Sequence, residues 1–139
     1  EMKVERFLIA STVNIAIGQR LVRKICQECK TEKKLSISEL QSLATIIPGE
    51  ILEKSKEHIF YYGKGCKKCN HTGYLGRIGI YEVLEVTDAI REAIMKRLNA
   101  NEIKEISINE GMTTMLEDGF NKALKGVTTI EEILRVIHE

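Results

Sequence analysis

The sequence has few aromatic residues and no excess of either charge. Its 139 residues include four Tyr, three Phe and no Trp, which argues against a surface on which single-stranded nucleic acid would stack. Lys and Arg number 21 against 20 for Asp and Glu, giving a formal net charge of +1. This balance gives no reason to expect a nucleic-acid or membrane-surface partner.

Long apolar runs and the common catalytic motifs are also missing. The unbroken apolar runs are only a few residues long, so no segment is expected to span a bilayer. The first residues do not resemble a signal peptide, and because residue 1 is Glu we expect a piece of a longer protein. Three histidines give no basis for a Ser/His/Asp set. A Gly-x-x-x-x-Gly-Lys-Ser/Thr loop is absent, so this chain alone lacks the main element that cradles nucleotide phosphates.

What is present fits a folded protein of about one domain. The sequence is 43% hydrophobic and 29% charged, which excludes a largely disordered chain. This length suits one core, or two small lobes of which each would need additional stabilisation.

The four cysteines are the feature with the clearest chemistry. They form two CxxC pairs, Cys26 with Cys29 and Cys66 with Cys69, separated by 36 residues. A CxxC turn directs two sulfurs to one point, so two pairs supply four thiolates around one Zn²⁺. Lysines beside both pairs would offset the negative charge of such a site. We therefore expect a closed structural zinc site, with no open position for catalysis.

Other uses of the same residues remain open at this point. An iron–sulfur cluster or a rubredoxin-like iron site takes the same four ligands. A redox CxxC would leave the other pair unexplained, and disulfides are disfavoured because nothing marks the chain as exported. His71, two residues after Cys69, is either an alternative ligand or part of a turn, and we favour the turn.

The hydrophobic pattern predicts the elements before and between the cysteine pairs. Val4–Ile25 is apolar on most sides and is predicted to form one long buried helix. Between the pairs, Ser36-x-x-Glu39 is a capping box that predicts a short helix. The β-branched and aromatic run His58–Tyr62 predicts a strand, and the alternating run Tyr74–Val86 predicts a second strand.

After the second strand the pattern predicts four helices. The first is capped by Thr87 or Asp88, and the second is capped by Asn101. A third covers residues 112–124, with Gly126 at the position after its C-cap. Thr128-x-x-Glu131 is a capping box that predicts the start of the last helix. The fold class is therefore mostly α with a small β element, in which a two-knuckle cysteine module precedes a helical lobe.

Three stretches of this sequence resemble one family. FLIASTVNIAIGQRLVRKICQECK is similar to the segment after the catalytic core of the secretion ATPases of type IV pilus assembly and type II secretion. GCKKCNHTGYLGRIGIYEVL and GMTTMLEDGFNKALKGVTTIEEILRVIHE resemble their second cysteine knuckle and C-terminal helices. The resemblance covers nearly the whole chain. Gln27 departs from the Pro that the family often has there, which a knuckle tolerates.

The resemblance implies a domain organisation and a site. Residues 1–25 would be the end of a RecA-like ATPase core (helix), 26–86 a tetracysteine zinc-binding module with a small sheet, and 87–139 a C-terminal helical subdomain. The tetracysteine pattern carries over to the following metal ligands: Cys26, Cys29, Cys66 and Cys69. No catalytic or nucleotide-binding residue carries over, because the ATPase motifs of the family precede this segment.

The resemblance also implies cofactors and partners. One structural Zn²⁺ per chain is expected here, and ATP with Mg²⁺ only in the full-length enzyme. Such ATPases are cytoplasmic homohexamers, peripheral to the bacterial inner membrane, that act with a platform protein in that membrane. Retraction ATPases lack the tetracysteine module, so its presence favours an assembly or secretion motor. The alternative hypothesis is a free-standing zinc-binding adaptor or protein-interaction module.

Two arginine positions raise separate hypotheses. Arg20 and Arg23 are expected either to bind phosphate or a neighbouring acid, or to be solvated. Arg77 lies between two glycines in a predicted strand, which suggests either a specific ion pair or an interface contact.

Overall fold

The computed structural model describes residues 4–35, 49, 53 and 59–138. Five helices and two small two-stranded sheets are present in this part of the chain, in agreement with the predicted mixture of elements. The elements in chain order are α1 (Arg6–Thr12), β1 (Ile15–Ile25), β2 (Lys30–Lys33), β3 (Phe60–Gly63), β4 (Tyr74–Glu85), α2 (Asp88–Met95), α3 (Ala100–Asn109), α4 (Met115–Leu124) and α5 (Ile130–His138). The helix predicted after Ser36 and the residue His58 lie outside the described residues.

The single long helix predicted for Val4–Ile25 is wrong over its second half. Only α1 is helical, and residues Ile15–Ile25 form strand β1, which pairs with β4. This stretch is rich in Ile and Val and contains Gly18, and both features favour a strand over a helix. From Gln19 to Lys24, exposed side chains alternate with less exposed ones, as the period of a strand requires.

The predicted strands around the second cysteine pair are confirmed with small shifts. β4 covers Tyr74–Glu85, one residue shorter than predicted, and β3 covers Phe60–Gly63. β2 and β3 are antiparallel, with Lys30 opposite Gly63 and Lys33 opposite Phe60. This register brings the chain just after the first cysteine pair beside the chain just before the second.

The chain divides into two compact units, and both strands β1 and β4 pass from one to the other. The three-helix unit consists of Glu1–Gly18 and Tyr81–Thr114, and the cysteine unit consists of Gln19–Ile80 and Met115–Glu139. None of the helices in the described part is long and apolar enough to cross a membrane.

The cysteine unit has a core built around two phenylalanines. Phe60 of β3 and Phe120 of α4 are each 3% exposed, and their rings meet edge to face with centroids 5.7 Å apart. Three further buried side chains complete this cluster: Ala123, Ile130 and Ile133. A smaller cluster unites Val22, Ile80 and Val136. The apolar faces of α4 and α5 are therefore packed against the strands that lead to the cysteines.

Helix ends follow local side-chain chemistry, with one cap shifted from its predicted residue. Thr87 caps α2 by accepting a hydrogen bond from the Ile90 backbone, as predicted. For α3 the cap is Asn99 rather than Asn101, and Glu102 completes a capping box with it. At the end of α4, Gly126 has φ +66° and its N–H donates to the Ala123 carbonyl, as expected of its position.

Candidate metal centre

The two cysteine pairs occupy equivalent positions at the ends of strands. Cys26 follows β1, and a 3₁₀ turn over Gln27–Cys29 leads into β2. After β3, the second pair forms a matching 3₁₀ turn over Lys67–Cys69, and β4 begins at Tyr74. The backbone N–H of Lys64 donates to the Cys29 carbonyl at 3.0 Å, so the first turn is bonded to the segment that leads into the second.

All four sulfur atoms converge on one point. The Sγ atoms are 3.8 Å apart for Cys26 and Cys66, 3.9 Å for Cys29 and Cys69, and 3.7 Å for Cys66 and Cys69, and all four lie within 4.8 Å of one another. Tetrahedral zinc with Zn–S distances of about 2.3 Å requires sulfurs about 3.8 Å apart. The donor set and its spacing therefore fit a Cys₄ zinc site.

The four thiols are held in different environments. Cys26 and Cys69 are 1% and 4% exposed, and Cys29 and Cys66 are half-buried. The Cys69 sulfur accepts hydrogen bonds from the backbone N–H groups of Cys66 at 3.2 Å and Gly73 at 3.3 Å. Such N–H groups stabilise a thiolate, and they also fix the direction of its lone pairs toward a metal.

These environments change the acidity of the thiols in opposite directions. Burial and the neighbouring thiols raise the pKa of Cys29 to about 12. For Cys69 burial also acts to raise the pKa, but the N–H groups of Cys66 and Gly73 and the neighbouring thiols outweigh it, and the pKa falls to about 6. Four thiolates this close repel one another, so a central cation is needed to ionise them all.

A salt bridge joins the two turns on the outside of the cluster. Lys68, between the second pair of cysteines, donates to Glu28, between the first pair, at 2.7 Å. This hydrogen bond raises the pKa of Lys68 above its ordinary value, and nearby Cys26 and Cys66 act in the same direction. Both side chains are more than half exposed, so the pair contributes little to stability by itself.

Three other predicted candidates lie outside the cysteine cluster. His71 is exposed and belongs to the turn after Cys69, where its N–H donates to the Cys66 carbonyl at 2.9 Å. Arg77 is exposed and forms no ion pair with another described residue. Arg23 does bind a neighbouring acid, as one of the two hypotheses stated, and that acid is Glu132.

Glu132 is a residue that the sequence analysis missed. It is 1% exposed, accepts from the Arg23 backbone at 3.0 Å, and pairs with the side chains of Arg23 and Arg135. Burial acts to raise the pKa of Glu132, but these hydrogen bonds outweigh it and lower the pKa to about 2. The Arg23 guanidinium also lies 4.1 Å from the centre of the Tyr74 ring.

The N-cap of the last helix lies one residue later than the predicted Thr128-x-x-Glu131 capping box, at Thr129. The sequence Thr-Thr-Ile-Glu-Glu matches the box in two overlapping registers. In the structure it is Thr129 whose hydroxyl accepts from the Glu132 N–H at 3.2 Å, and Thr128 donates to the Arg23 carbonyl at 2.8 Å. Burial of Ile130 and Ile133 selects this register, and it turns Glu132 inward rather than Glu131.

Two cysteine turns that bring four thiols to one point define a candidate structural metal-binding protein. Residues 1–135 match the family described as Type II/IV secretion system protein, and the chain belongs to that family. Among similar proteins, the type IV pilus assembly ATPase PilB of Thermus thermophilus is 45% identical over 134 residues, covering 96% of this chain and 14% of its own length.

Type II secretion proteins are similar to the chain as well. The type II secretion system protein E of Xanthomonas campestris is 40% identical over 142 residues, covering the whole chain and 24% of its own length. That of Aeromonas hydrophila is 34% identical over 139 residues, covering the whole chain and 26% of its own length. The chain thus spans about a quarter or less of these relatives.

Proposed function

We propose that this chain is the C-terminal zinc-binding region of an ATPase that powers type IV pilus assembly or type II protein secretion. The observation that carries the proposal is the four-sulfur cluster within a chain that matches this family over residues 1–135. In the full-length enzyme, ATP with Mg²⁺ binds to parts outside this segment. The assembly is a cytoplasmic homohexamer at the inner membrane, and its partner is the platform protein of the machinery.

In this proposal the zinc ion is structural. Cys26, Cys29, Cys66 and Cys69 would fill all four positions of a tetrahedral ion. When bound, zinc neutralises thiolate charge and holds the two turns together, and it activates no water because no position is open. No described residue is assigned a catalytic role.

The proposed role of the metal lobe is to transmit motion without deforming. β1 ends directly before Cys26, and β4 begins shortly after Cys69, so a metal bound here would join the ends of two paired strands. The Arg23–Glu132 pair attaches α5 to β1 in the same unit. Rigid-body rotations driven by ATP hydrolysis need such stiff elements to reach a neighbouring subunit or the platform protein.

The test is made in the full-length ATPase. Replacement of the cysteines equivalent to Cys66 and Cys69 by Ser should abolish zinc binding and pilus or pseudopilus assembly, because the lobe unfolds. Lys67→Ala, an exposed position between the same cysteines, is the matched control and should assemble normally. Normal assembly by a cysteine variant shown to lack zinc would contradict the proposal.

A second expectation concerns the chain by itself. Because the phosphate-cradling loop is absent from this sequence, the purified 139-residue chain should not hydrolyse ATP. ATP turnover that co-purifies with the chain and is lost on its immunodepletion would contradict this assignment.

A further inference from the structure

The backbone of Gly73 is bonded to both cysteine pairs at once. Its N–H donates to the sulfur of Cys69 at 3.3 Å, and its carbonyl accepts from the N–H of Cys26 at 2.9 Å. The first bond acts on a candidate ligand of the second pair, and the other fixes the backbone of a candidate ligand of the first. The relative position of the two pairs therefore depends on where this one residue lies.

Gly73 is held in place by a close backbone contact with Gly63 at the end of β3. A Cβ atom added to Gly73 would overlap the Gly63 carbonyl oxygen, and one added to Gly63 would overlap the carbonyl oxygen of Gly73. Both obstacles are backbone atoms, which cannot rotate away as a side chain does. Gly73 also has φ +78°, a conformation that residues with a side chain adopt at a cost.

The hydroxyl of Thr72 fixes the turn in which Gly73 lies. It donates to the Cys69 carbonyl at 2.6 Å and accepts from the Tyr74 N–H at 3.3 Å. These two bonds span Gly73 on both sides. The orientation of the Gly73 peptide groups thus has a second, independent support from a side chain.

We propose that Gly73 is a positioning residue of the metal centre, which sets the distance between the two cysteine pairs. The inference rests on the proposed zinc site and goes beyond its four ligands. Outer groups that orient ligands typically change metal affinity about 10- to 100-fold when they are altered. A substitution at Gly73 is expected to have an effect of this size, because it shifts the Cys69 sulfur and the Cys26 backbone together.

The experiment compares Gly73→Ala with Gly76→Ala in the 139-residue chain. Gly76 has nearly the same φ, +77°, but an added Cβ would meet only the flexible end of Lys24 at 4.0 Å. Both variants therefore place alanine at a similar positive φ, and only the one at Gly73 meets the backbone of Gly63 beside the cysteine pairs. Titration with Co²⁺, followed by its visible absorption, reports both affinity and tetrahedral thiolate geometry.

We expect Gly73→Ala to bind Co²⁺ about 10- to 100-fold more weakly than Gly76→Ala, with an altered absorption spectrum. Equal affinity and identical spectra of these two variants would overturn the inference. If the wild-type chain binds neither Co²⁺ nor Zn²⁺, it is the proposed zinc site that fails.

A second pair of variants decides the matter if Gly73→Ala does not fold. Thr72→Ala removes the hydroxyl that fixes the turn, and Thr72→Ser keeps it. Weaker Co²⁺ binding by Thr72→Ala, restored by Thr72→Ser, supports the inference. Wild-type affinity in Thr72→Ala, or an equal loss in both threonine variants, overturns it.

Discussion

The cysteine unit buries large side chains, whereas the three-helix unit buries mostly small ones. Among the described residues, the buried side chains of the three-helix unit are Ala10, Val86, Ile90, Ala93 and Ser107. The cysteine unit buries two phenylalanines and four isoleucines, together with Cys26 and Cys69. It also contains all four thiols.

The exposed apolar side chains show the opposite distribution. Nine of the thirteen large hydrophobic residues that are exposed in the described part belong to the three-helix unit. Polar contacts support its helices, such as the Asn99 capping box of α3 and the hydrogen bond from Arg91 to the distant Ala10 carbonyl at 2.9 Å. The packed large side chains and the candidate metal ligands are therefore concentrated in one unit, where substitutions should cost the most.

The largest effect is expected from loss of the proposed metal ligands. Cys66→Ser combined with Cys69→Ser should remove amide protection in β2, β3 and α4 far more than in α3. Binding of structural zinc contributes about 10–16 kcal/mol to folding in small metal-dependent domains. Hydrogen exchange read peptide by peptide would measure the difference, with Lys67→Ala as the control. An equal loss of amide protection in both units would contradict the difference drawn between them.

A matched pair of phenylalanine substitutions tests the two cores directly. Phe120→Ala should destabilise the chain by about 3–5 kcal/mol, because it leaves a cavity against Phe60. Phe7, in the three-helix unit, is 56% exposed, and Phe7→Ala should change stability by no more than about 0.5 kcal/mol. Denaturant unfolding measures both. A cost for Phe7→Ala as large as that for Phe120→Ala would contradict the account.

The buried carboxylate of Glu132 should make part of the stability depend on pH. Its pKa in the folded state is about 2, against an ordinary value of 4.5. The stabilisation it provides is therefore complete above pH 4.5 and is lost as the pH falls toward 2. Glu132→Gln should cost about 3 kcal/mol at neutral pH.

Acid would also release a bound metal, but it would do so in wild type and in Glu132→Gln alike. The difference in unfolding free energy between the two therefore reports on Glu132. We expect the difference in unfolding free energy between wild type and Glu132→Gln to be constant above pH 5 and to shrink at lower pH. Glu131→Gln is the matched control, since Glu131 is 64% exposed in its pair with Lys33, and should cost less than about 1 kcal/mol. A difference that grew with falling pH would contradict the assignment.

The smallest expected effect concerns the helix cap in the three-helix unit. The Asn99 side chain accepts from the backbone N–H groups of Asn101 and Glu102 at 2.9 and 3.1 Å. Asn99→Ala should therefore cost about 1 kcal/mol, seen as faster amide exchange in α3. Asn101→Ala should be neutral or slightly stabilising, because alanine is a better helix former there. Equal effects of the two substitutions on amide exchange in α3 would contradict the assignment of Asn99 as the N-cap.

The candidate site could be predicted from the sequence better than the fold that carries it. The CxxC spacing alone brings two sulfurs together. To predict that Cys26, Cys29, Cys66 and Cys69 converge, one has to assume only that the two turns lie side by side. The strand Ile15–Ile25 was missed because its apolar residues also satisfy a helical pattern. Its conformation is decided by pairing with β4, a contact distant in sequence.

Two further features could not be predicted because they depend on tertiary contacts. The overlapping matches in Thr-Thr-Ile-Glu-Glu are equivalent in local chemistry, and the burial of Ile130 and Ile133 chooses between them. The role of Gly73 was likewise hidden, since Gly73 and Gly76 are both glycines with positive φ. The close contact with Gly63 and the hydrogen bonds to Cys69 and Cys26 distinguish Gly73 from Gly76.

One metal ion on four cysteines is proposed to organise the cysteine unit. Native mass spectrometry with elemental analysis of the purified 139-residue chain tests it most directly, combined with hydrogen exchange before and after treatment with a chelator. The account predicts one zinc per chain, and loss of protection in β2, β3 and α4 when the metal is removed. A chain that binds no metal and keeps this protection in the chelator would contradict it.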